Sequence, residues 1–511
     1  MVRGLSYVSI VDLGSQYTHL IQKRLTYLGL RSVLTPWFTK EVYDSDAVII
    51  SGSPMSSLRD DISEIKNNIV KIINQGKPIL GICFGNQILA EIYGGKIVKR
   101  AEYGRTRVSV DSIEGILKGF NNIEEVWMSH SDCVIDAGDG KVLSLSENGC
   151  VSAVKIPGKP VYGVQFHPEV THTKKGDLIF KNFAKISGMS YKEISVHDKV
   201  SLYYQQVVDE IRSMYKGGRI ISAVSGGVDS TVSTYITMKV VGPENVIPVF
   251  INHGFFRDGE VEDVLNKLKA IGIDPIYIDA SREFIEKTMN IVSCEDRRKT
   301  IGELFARKLF EVIKEKEASY LIQGTTYPDL IESGRTRHSR RIKSHHNVAG
   351  LPEWFNIQII EPLKGLYKDE IRELGKILGL PREIIRRHPF PGPGLAVRII
   401  GKLTPEKLEI ARKADRILND VLKREGIYEK LWQALAVVSE SWVGVKGDER
   451  EEGYIVSIRL LLSEDGMTAD YYLPEKRIVD EIARKITNNV ENVTAVSFVT
   501  TTKPPATIEP C

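Results

Sequence analysis

The chain has 511 residues, of which 42% are hydrophobic and 26% are charged, and its formal net charge is +3. This composition is that of a globular protein of about three domains, and its net charge argues neither for nor against nucleic acid. No apolar run reaches the ~18 residues that a membrane-spanning helix needs, and the N-terminus lacks the profile of a signal peptide. Five cysteines that form neither a Cys-x-x-Cys motif nor an even disulfide framework favour a reducing compartment, so we expect a cytoplasmic protein.

The first predicted region, residues 1–188, alternates short strands with helices. Continuous apolar runs predict buried parallel strands at residues 5–12, 47–51 and 79–82. Helices are expected between them at about 16–29, 61–75 and 86–93. Residues 105–166 are richer in short strands, and a helix over 177–186 closes the region.

A cysteine lies where the third predicted strand meets the next helix. Cys83 follows Ile79–Ile82 and has Gly81 and Gly85 around it, a pattern that predicts a sharp turn with the sulfur at its apex. The first N–H groups of the helix would point at the sulfur and favour its thiolate. Most single cysteines are buried and inert, so a nucleophilic role depends on partners.

Two such partners follow a predicted strand at residues 161–166. His167 and Glu169 are two residues apart on an extended segment, so their side chains face the same way. His167 could accept the thiol proton and later protonate a leaving amine, while Glu169 holds the imidazole tautomer. Cys83, His167 and Glu169 in this order resemble the triad of class I glutamine amidotransferases.

That resemblance implies further site residues in the first region. Gly52 and Phe84 would supply the N–H groups of an oxyanion hole, and Gln87 would help to hold glutamine.

The second predicted region, residues 195–388, repeats the α/β pattern, with strands expected at 220–224, 246–251, 275–278 and 320–323 and a long helix at 298–316. The first strand runs into Ser225-Gly226-Gly227-Val228-Asp229-Ser230-Thr231 and then into an apolar helix. Backbone N–H groups at a helix start bind anions, and Asp229 indicates a magnesium ligand beside pyrophosphate. The loop lacks the Gly-Lys-Ser/Thr ending of a Walker A motif, and an ordinary Gly-rich turn is the plain alternative. The full run resembles the N-type ATP pyrophosphatases, which cleave ATP between its α- and β-phosphates.

A basic stretch at residues 335–347 lies in the same region. A solvated loop or a nucleic-acid patch is the usual interpretation, but no aromatic residues are interleaved to stack on bases. We therefore expect a basic lid over phosphates, mobile without ligand. The neighbouring His345 and His346 have no third ligand at metal spacing, which argues against zinc.

The third predicted region, residues 389–511, opens with three prolines and two glycines in six residues, which excludes a helix or a central strand there. A helix over 406–424, strands at about 432–440, 453–461 and 494–500, and a helix near 475–488 are expected after it.

Four sequence blocks, at residues 327–333, 343–347, 388–396 and 503–509, resemble the family of glutamine-hydrolysing GMP synthetases in the family's order. The resemblance covers essentially the whole chain. It implies two successive α/β domains with mostly parallel sheets, followed by a smaller α+β dimerisation domain. The chain departs from the family at Glu509-Pro510-Cys511, where the family commonly ends in Glu-Trp-Glu.

The resemblance also implies a reaction. Glutamine hydrolysed at Cys83 would supply ammonia to adenylated xanthosine monophosphate (XMP), giving GMP, AMP, pyrophosphate and glutamate. ATP with Mg²⁺, XMP and glutamine are the expected partners, along with a second copy of the chain, but neither nucleic acid nor a membrane. The residues implied for XMP and its lid are Arg297, Lys343, Lys503, Ile508 and Glu509.

Two alternatives remain open from the residues. A tRNA-modifying pyrophosphatase would need a nucleic-acid surface, which a net charge of +3 without a basic tail does not offer. A nucleotide sensor with a vestigial amidotransferase would not need an intact Cys83, His167, Glu169 and Asp229.

Overall fold

The structure is a computed structural model that describes residues 6–332, 357–446 and 448–511. The predicted lid at 335–347, with Lys343, His345 and His346, lies outside the described residues. The chain divides into two compact units, one of Met1–Val196 with Thr502–Pro505 and the other of His197–Thr501 with Ala506–Cys511. Within the described ranges, no helix combines the length and the apolar character that crossing a membrane requires.

The first unit alternates strands and helices in its first half and is mostly strands in its second half. Its strands are β1 (Val8–Val11), β2 (Ser32–Thr35), β3 (Ala47–Ile50), β4 (Ile79–Ile82), β5 (Lys96–Val110), β6 (Ile123–Asp136), β7 (Lys141–Ser146), β8 (Val151–Ile156) and β9 (Val161–Val164). Its helices are α1 (Thr18–Tyr27), α2 (Lys40–Asp44), α3 (Ser63–Asn74), α4 (Phe84–Ile92) and α5 (Gly176–Ile186), with a 3-10 turn at Gly115–Leu117.

These strands form one sheet of nine in the order β2-β1-β3-β4-β9-β8-β7-β5-β6. The five strands from β2 to β9 are parallel, and the remaining pairings are antiparallel. Helices cover both faces of the parallel part, which is why β3 is apolar at every position. Ile49 packs into one core, and Val48 and Ile50 pack into the other. β4 and β9 are neighbours, so the loops that follow them, with Cys83 and His167, lie at the same edge of the sheet.

The second unit begins with a long helix and contains two sheets. Its helices are α6 (Val196–Met214), α7 (Val228–Val241), α8 (Glu260–Ala270), α9 (Ser281–Thr288), α10 (Cys294–Glu315), α11 (Tyr327–Glu332), α12 (Lys368–Ile377), α13 (Arg382–Ile385), α14 (Pro405–Arg424) and α15 (Lys476–Asn489). Its strands are β10 (Ile220–Ala223), β11 (Val246–Asn252), β12 (Ile276–Asp279), β13 (Tyr320–Ile322), β14 (Gln358–Ile360), β15 (Gln433–Lys446), β16 (Glu449–Leu462), β17 (Asp470–Tyr471) and β18 (Val493–Phe498). Short 3-10 turns lie at Pro243–Asn245, Gly394–Arg398 and Tyr428–Lys430.

One sheet of this unit is entirely parallel, with the order β12-β11-β10-β13-β14. The other is smaller and mixed: β16 pairs antiparallel with β15 and β17 and parallel with β18. The prediction of an α/β protein with mostly parallel sheets and a smaller C-terminal α+β part is therefore confirmed.

One of the apolar cores of the second unit extends through both of its parts. Ile221 of β10, Leu418 of α14 and Val456 of β16 belong to it, and each is fully buried. The proposed boundaries at 188, 195 and 388 stay predictions, and the last of them falls inside this unit.

Two disulfides correct the prediction drawn from the cysteine count. Cys133 pairs with Cys150, and Cys294 pairs with Cys511, so Cys83 alone is free among five cysteines that all lie in the described ranges. Sequence spacing did not reveal the pairs because they lie 17 and 217 residues apart, and the fold brings their Cα atoms to 5.6 and 5.7 Å. The expected absence of a disulfide framework was wrong.

Candidate active sites

Cys83 lies at a sharp turn between β4 and α4, as the sequence predicts. Its backbone has φ 54° and ψ −101°, a sparsely populated conformation for a residue with a Cβ. The two glycines permit close packing: a Cβ on Gly81 would lie 2.6 Å from the carbonyl of Gly85, and one on Gly85 would lie 2.6 Å from the oxygen of Ile50. Backbone bonds from Cys83 N to Val164 O (2.8 Å) and from Gln87 N to Cys83 O (3.2 Å) hold the turn.

The thiol of Cys83 is buried with two polar neighbours that the sequence did not reveal. Its Sγ lies 3.8 Å from the carbonyl oxygen of Ser129, and Nε2 of Gln165 lies 3.9 Å from Sγ. Gln165 directly follows β9, and its side chain also accepts a hydrogen bond from Asn86 Nδ2 at 3.1 Å. A residue one place beyond a strand is a weak signal, which is why Gln165 was missed.

His167 and Glu169 form the pair that the sequence predicts. Nδ1 of His167 lies 2.8 Å from Oε1 of Glu169, and both side chains are at most 2% exposed. Burial alone would lower the pKa of His167, but the charges of Glu169 and Cys83 outweigh it and raise that pKa to about 10. His167 is therefore a cation at neutral pH. Its Nε2 has no other hydrogen-bond partner among the described residues and is available to sulfur and substrate.

The imidazole is held from several sides. The backbone N–H of His167 donates to Trp127 O at 3.0 Å, and its carbonyl accepts from Thr173 Oγ1 at 2.7 Å. The ring of Tyr17 meets it edge-on, with centroids 4.8 Å apart. Gly52 lies beside the ring as well, since a Cβ there would be 3.5 Å from Cε1 of His167. The structure thus brings Gly52 to the triad.

Phe84 and Gln87 lie in the first turn of α4, directly after Cys83. N–H groups in a first helical turn have no intrahelical partner, so that of Phe84 suits an oxyanion. Gln87 is 3% exposed, and its Nε2 donates to Asp132 O at 2.7 Å. This bond ties α4 to β6, and a direct contact of Gln87 with glutamine stays a prediction.

The loop at residues 225–231 joins β10 to α7 in the second unit, as predicted. Gly227 is the N-cap of α7, and Gly226 has a φ of 72°, where a Cβ would lie 2.3 Å from Val264 Cγ1. Oγ of Ser230 accepts from Ser225 N at 3.2 Å and donates to Gly227 O at 3.1 Å, so it braces the loop. The free N–H groups of the helix start suit phosphate.

Asp229 lies in the first turn of α7. One oxygen of its carboxylate is paired, and the other is not. Its Oδ2 forms an ion pair with Lys368, the first residue of α12, which the sequence did not single out. Its Oδ1 is buried without a hydrogen-bond partner among the described residues. A buried carboxylate oxygen without a donor suits a hard cation, so Asp229 fits the predicted magnesium ligand. The described ranges contain no group of three or more His, Cys, Asp or Glu side chains arranged for a metal ion.

Glu509 belongs to a buried charged cluster in the second unit. Its oxygens accept from Arg398 at 3.0 and 3.1 Å and from Gln433 at 2.6 Å. Arg398 also donates to Asp415 at 2.8 Å, and Asp415 pairs with Arg257. Burial alone would raise the pKa of Asp415, but the two arginines lower it. Sequence reasoning missed these partners because Glu509 is 76 residues from Gln433 and 111 residues from Arg398, and Arg257 is 158 residues from Asp415.

The cluster continues to the loop at 225–231. Glu260 pairs with Arg257 (2.8 Å) and with Arg387 (2.6 Å), whose Nη1 lies 3.4 Å from Ser225 O. Burial alone would raise the pKa of Glu260, but Arg257 and Arg387 lower it to about 2, so it is ionised. Charged groups thus connect Glu509 with the loop.

The other residues implied for XMP lie apart. Arg297 is fully buried, and its guanidinium donates to the carbonyls of Ala396 (2.6 Å) and Gly401 (3.0 Å), which favours a structural role. Ile508 packs against the small apolar cluster of Leu435 and Val437. Lys503 belongs to the segment Thr502–Pro505, which is part of the first unit, so the structure does not group it with Glu509.

Comparison with known proteins matches these regions to three domain families. Residues 9–186 match the class-I glutamine amidotransferase model, residues 203–308 the NAD synthase model, and residues 420–510 the model of the GMP synthase C-terminal domain. Among solved structures, a glutamine amidotransferase from Thermotoga maritima is similar to this chain with a TM-score of 0.30 and 19% sequence identity. The aligned part is 36% of this chain and 85% of the Thermotoga maritima chain.

Several relatives match this chain over nearly its whole length. Glutamine-hydrolysing GMP synthases from Pyrobaculum aerophilum (45% identical, 99% of each chain covered), Aquifex aeolicus and Thermus thermophilus (each 41% identical, with 98% of this chain and 99% of theirs covered) are similar over their full lengths. With this identity and coverage, the chain belongs to the family of glutamine-hydrolysing GMP synthases.

Proposed function

We propose that this chain makes GMP from XMP, ATP and glutamine, with AMP, pyrophosphate and glutamate as the other products. The observation that carries the proposal is the free, buried Cys83 at a strained turn with the His167–Glu169 pair against it. A cysteine whose histidine is held by a carboxylate is the arrangement of a nucleophile, not of an inert core thiol.

The first half-reaction is glutamine hydrolysis in the first unit. The Cys83 thiolate attacks the carboxamide carbon of glutamine, and the N–H groups of Gly52 and Phe84 receive the oxyanion. His167 then gives its Nε2 proton to the leaving ammonia, which leaves a γ-glutamyl thioester. Water, deprotonated by His167, cleaves the thioester to glutamate and restores the thiol.

The second half-reaction converts XMP to GMP in the second unit. The loop at 225–231 holds the pyrophosphate part of ATP, while O2 of XMP attacks the α-phosphate and pyrophosphate leaves. Ammonia then attacks C2 of the adenylated base, and AMP is a far better leaving group than an amide-like oxygen. Asp229 would hold Mg²⁺, which neutralises charge on pyrophosphate when it is bound. Lys368 would add a cation beside the same phosphates.

XMP is assigned to the neighbourhood of Glu509. A cavity of about 750 Å³ is lined by Arg257, Glu260, Arg387, Arg416 and Tyr428, and its volume is in the range for small-molecule sites. Arg257 and Glu260 belong to the charged cluster that ends at Glu509, which supports a nucleotide site at this place.

We also propose a homodimer formed through the C-terminal part of the chain. The end of the β15–β16 ribbon exposes large apolar side chains, with Trp442 55%, Val443 49% and Val445 73% exposed. Contiguous exposed apolar groups of this kind indicate an interface.

The test of the reaction is Cys83→Ala. Glutamine-dependent GMP synthesis should be lost, while synthesis from ammonium salts at raised pH should persist, because only the first unit needs a nucleophile. Substituting the buried Cys133 instead gives a cysteine control that should keep glutamine-dependent synthesis. If Cys83→Ala lost both activities, the two half-reactions would not be separable as proposed.

A further inference from the structure

The segment Ala506–Cys511 is held by the start of helix α10. Cys511 forms a disulfide with Cys294, the first residue of α10. Arg298, one turn along the helix, donates to the carbonyl oxygen of Cys511. A covalent bond and a hydrogen bond therefore fix this segment from the same helix end.

The segment carries Glu509, two residues before the disulfide. It contains no helix or strand of its own, so backbone ladder bonds do not define its position. Glu509 is held through its side-chain bonds to Arg398 and Gln433, through a local bond from Thr507 Oγ1 to its own carbonyl oxygen (2.6 Å), and through the chain on either side of it. Ordering such a segment costs conformational entropy at each residue, and a covalent bond at one end reduces that cost.

The same helix end also holds the partner of Glu509. Arg297 donates to the carbonyls of Ala396 and Gly401, which flank Arg398 in the chain. The first turn of α10 thus fixes both sides of the Arg398–Glu509 ion pair, one through Arg297 and the other through the disulfide.

We propose that Cys294 and Cys511 are positioning residues for the nucleotide site, and that their disulfide holds Glu509 in the arrangement that receives XMP. This inference rests on the proposed function, which assigns XMP to the neighbourhood of Glu509. Cleavage of the disulfide by a dithiol reductant frees the segment and weakens XMP binding. Two electrons and two protons pass from the dithiol to the two sulfurs, and the dithiol closes to its own cyclic disulfide.

The two disulfides of the chain differ in access. Cys133 and Cys150 are both 0% exposed, whereas Cys294 and Cys511 are half-buried. Thiol exchange needs the attacking thiolate to reach a sulfur, so mild dithiol should cleave the Cys294–Cys511 bond first. The buried pair therefore serves as an internal control.

The experiment measures ammonia-dependent GMP synthesis against XMP concentration, which keeps the chemistry of Cys83 out of the readout. Cys511→Ser, Cys294→Ser and dithiothreitol-treated wild type should each raise the KM for XMP about tenfold and leave kcat within about twofold, because preorganisation of binding is lost. Cys150→Ser, which removes the other disulfide, should leave the KM for XMP unchanged. Dithiothreitol should have no further effect on Cys511→Ser.

Two results would overturn the inference. One is an unchanged KM for XMP in both Cys511→Ser and the reduced wild type. The other comes from counting reactive thiols in denatured protein that was purified without reductant. Two disulfides leave one thiol among the five cysteines, so a count of five would show that neither disulfide forms.

Failure of the proposed function would look different, since untreated wild type would then make no GMP at any XMP concentration. Hydrogen exchange over residues 506–511 decides in that case whether the disulfide orders Glu509. Reduction should speed exchange there at least tenfold, and equal rates would also reject the inference.

Discussion

The state of His167 decides when the thiol of Cys83 can act. Its pKa of about 10 exceeds the ordinary value of about 6.5, because Glu169 and Cys83 place negative charge beside a buried ring. Because the pKa of His167 is higher in the folded state than in the unfolded state, protonation of His167 stabilises the fold. This stabilisation is complete below about pH 6.5 and is lost as the pH rises through about 10. His167 should keep its Nε2 proton for the leaving ammonia until the pH approaches about 10.

Glu169→Gln tests this account. Removal of the carboxylate charge should lower the pKa of His167, so the alkaline limb of glutaminase kcat/KM should move to lower pH by at least about one unit. The matched control is Glu102→Gln, in a second buried pair where Glu102 lies 2.9 Å from His130 Nε2. The Glu102→Gln variant should keep the alkaline limb at the wild-type pH. Equal shifts in both variants would show that removing any buried carboxylate charge moves the limb, and would reject the specific role of Glu169.

A second residue-scale prediction concerns Asp229→Asn. The amide cannot pair with Lys368 as a carboxylate does and binds a divalent cation poorly, so pyrophosphate release should fall by about two to three orders of magnitude. Glutaminase in the first unit should change far less. Asp274→Asn, at a side chain 79% exposed in the same unit, is the control and should behave as wild type. An unchanged rate of pyrophosphate release in Asp229→Asn would remove this residue from the site.

The turn between β4 and α4 is a property of a whole element. Gly85→Ala would place a Cβ 2.6 Å from the oxygen of Ile50 on β3, so helix and strand must move apart. A displacement near 1 Å costs about a hundredfold in rate, and we expect that loss in glutaminase. Gly302→Ala, within α10 and with no atom within 4 Å of the new Cβ, is the control. It should stabilise its helix by about 1 kcal/mol and leave glutaminase unchanged, and wild-type glutaminase in Gly85→Ala would refute the packing argument.

Element by element, the sequence allowed good prediction where the signal is local. The apolar run of β4 ends at Ile82 as expected, and the helix predicted at 406–424 is observed at Pro405–Arg424. The Cys83 turn needs only glycines at fixed offsets, which a sequence displays directly. Strand β14, only three residues long, was not predicted because so short a run has little periodicity.

At the scale of the whole molecule, the unpredicted features are the pairings between distant parts of the chain. Asp415 and Arg257 are 158 residues apart, and each is an ordinary charged residue in its own segment. The partners of Glu509 and the cystine of Cys294 and Cys511 are of the same kind. Such pairs depend on how helices and sheets pack, which no local pattern encodes, and they build the part of the proposed nucleotide site that sequence reasoning left out.

The last prediction concerns assembly. Trp442 and Val445 are 55% and 73% exposed at the end of the β15–β16 ribbon, beyond the part of the ribbon that packs on the core. If this end forms the dimer interface, Trp442→Glu would place a charge in an apolar contact, and sedimentation should find monomers at micromolar concentration where wild type is a dimer. Leu202→Glu, at an apolar residue 67% exposed on α6, is the matched control and should remain dimeric. A dimer that survives Trp442→Glu would place the interface elsewhere, and a monomeric wild type would end the proposal.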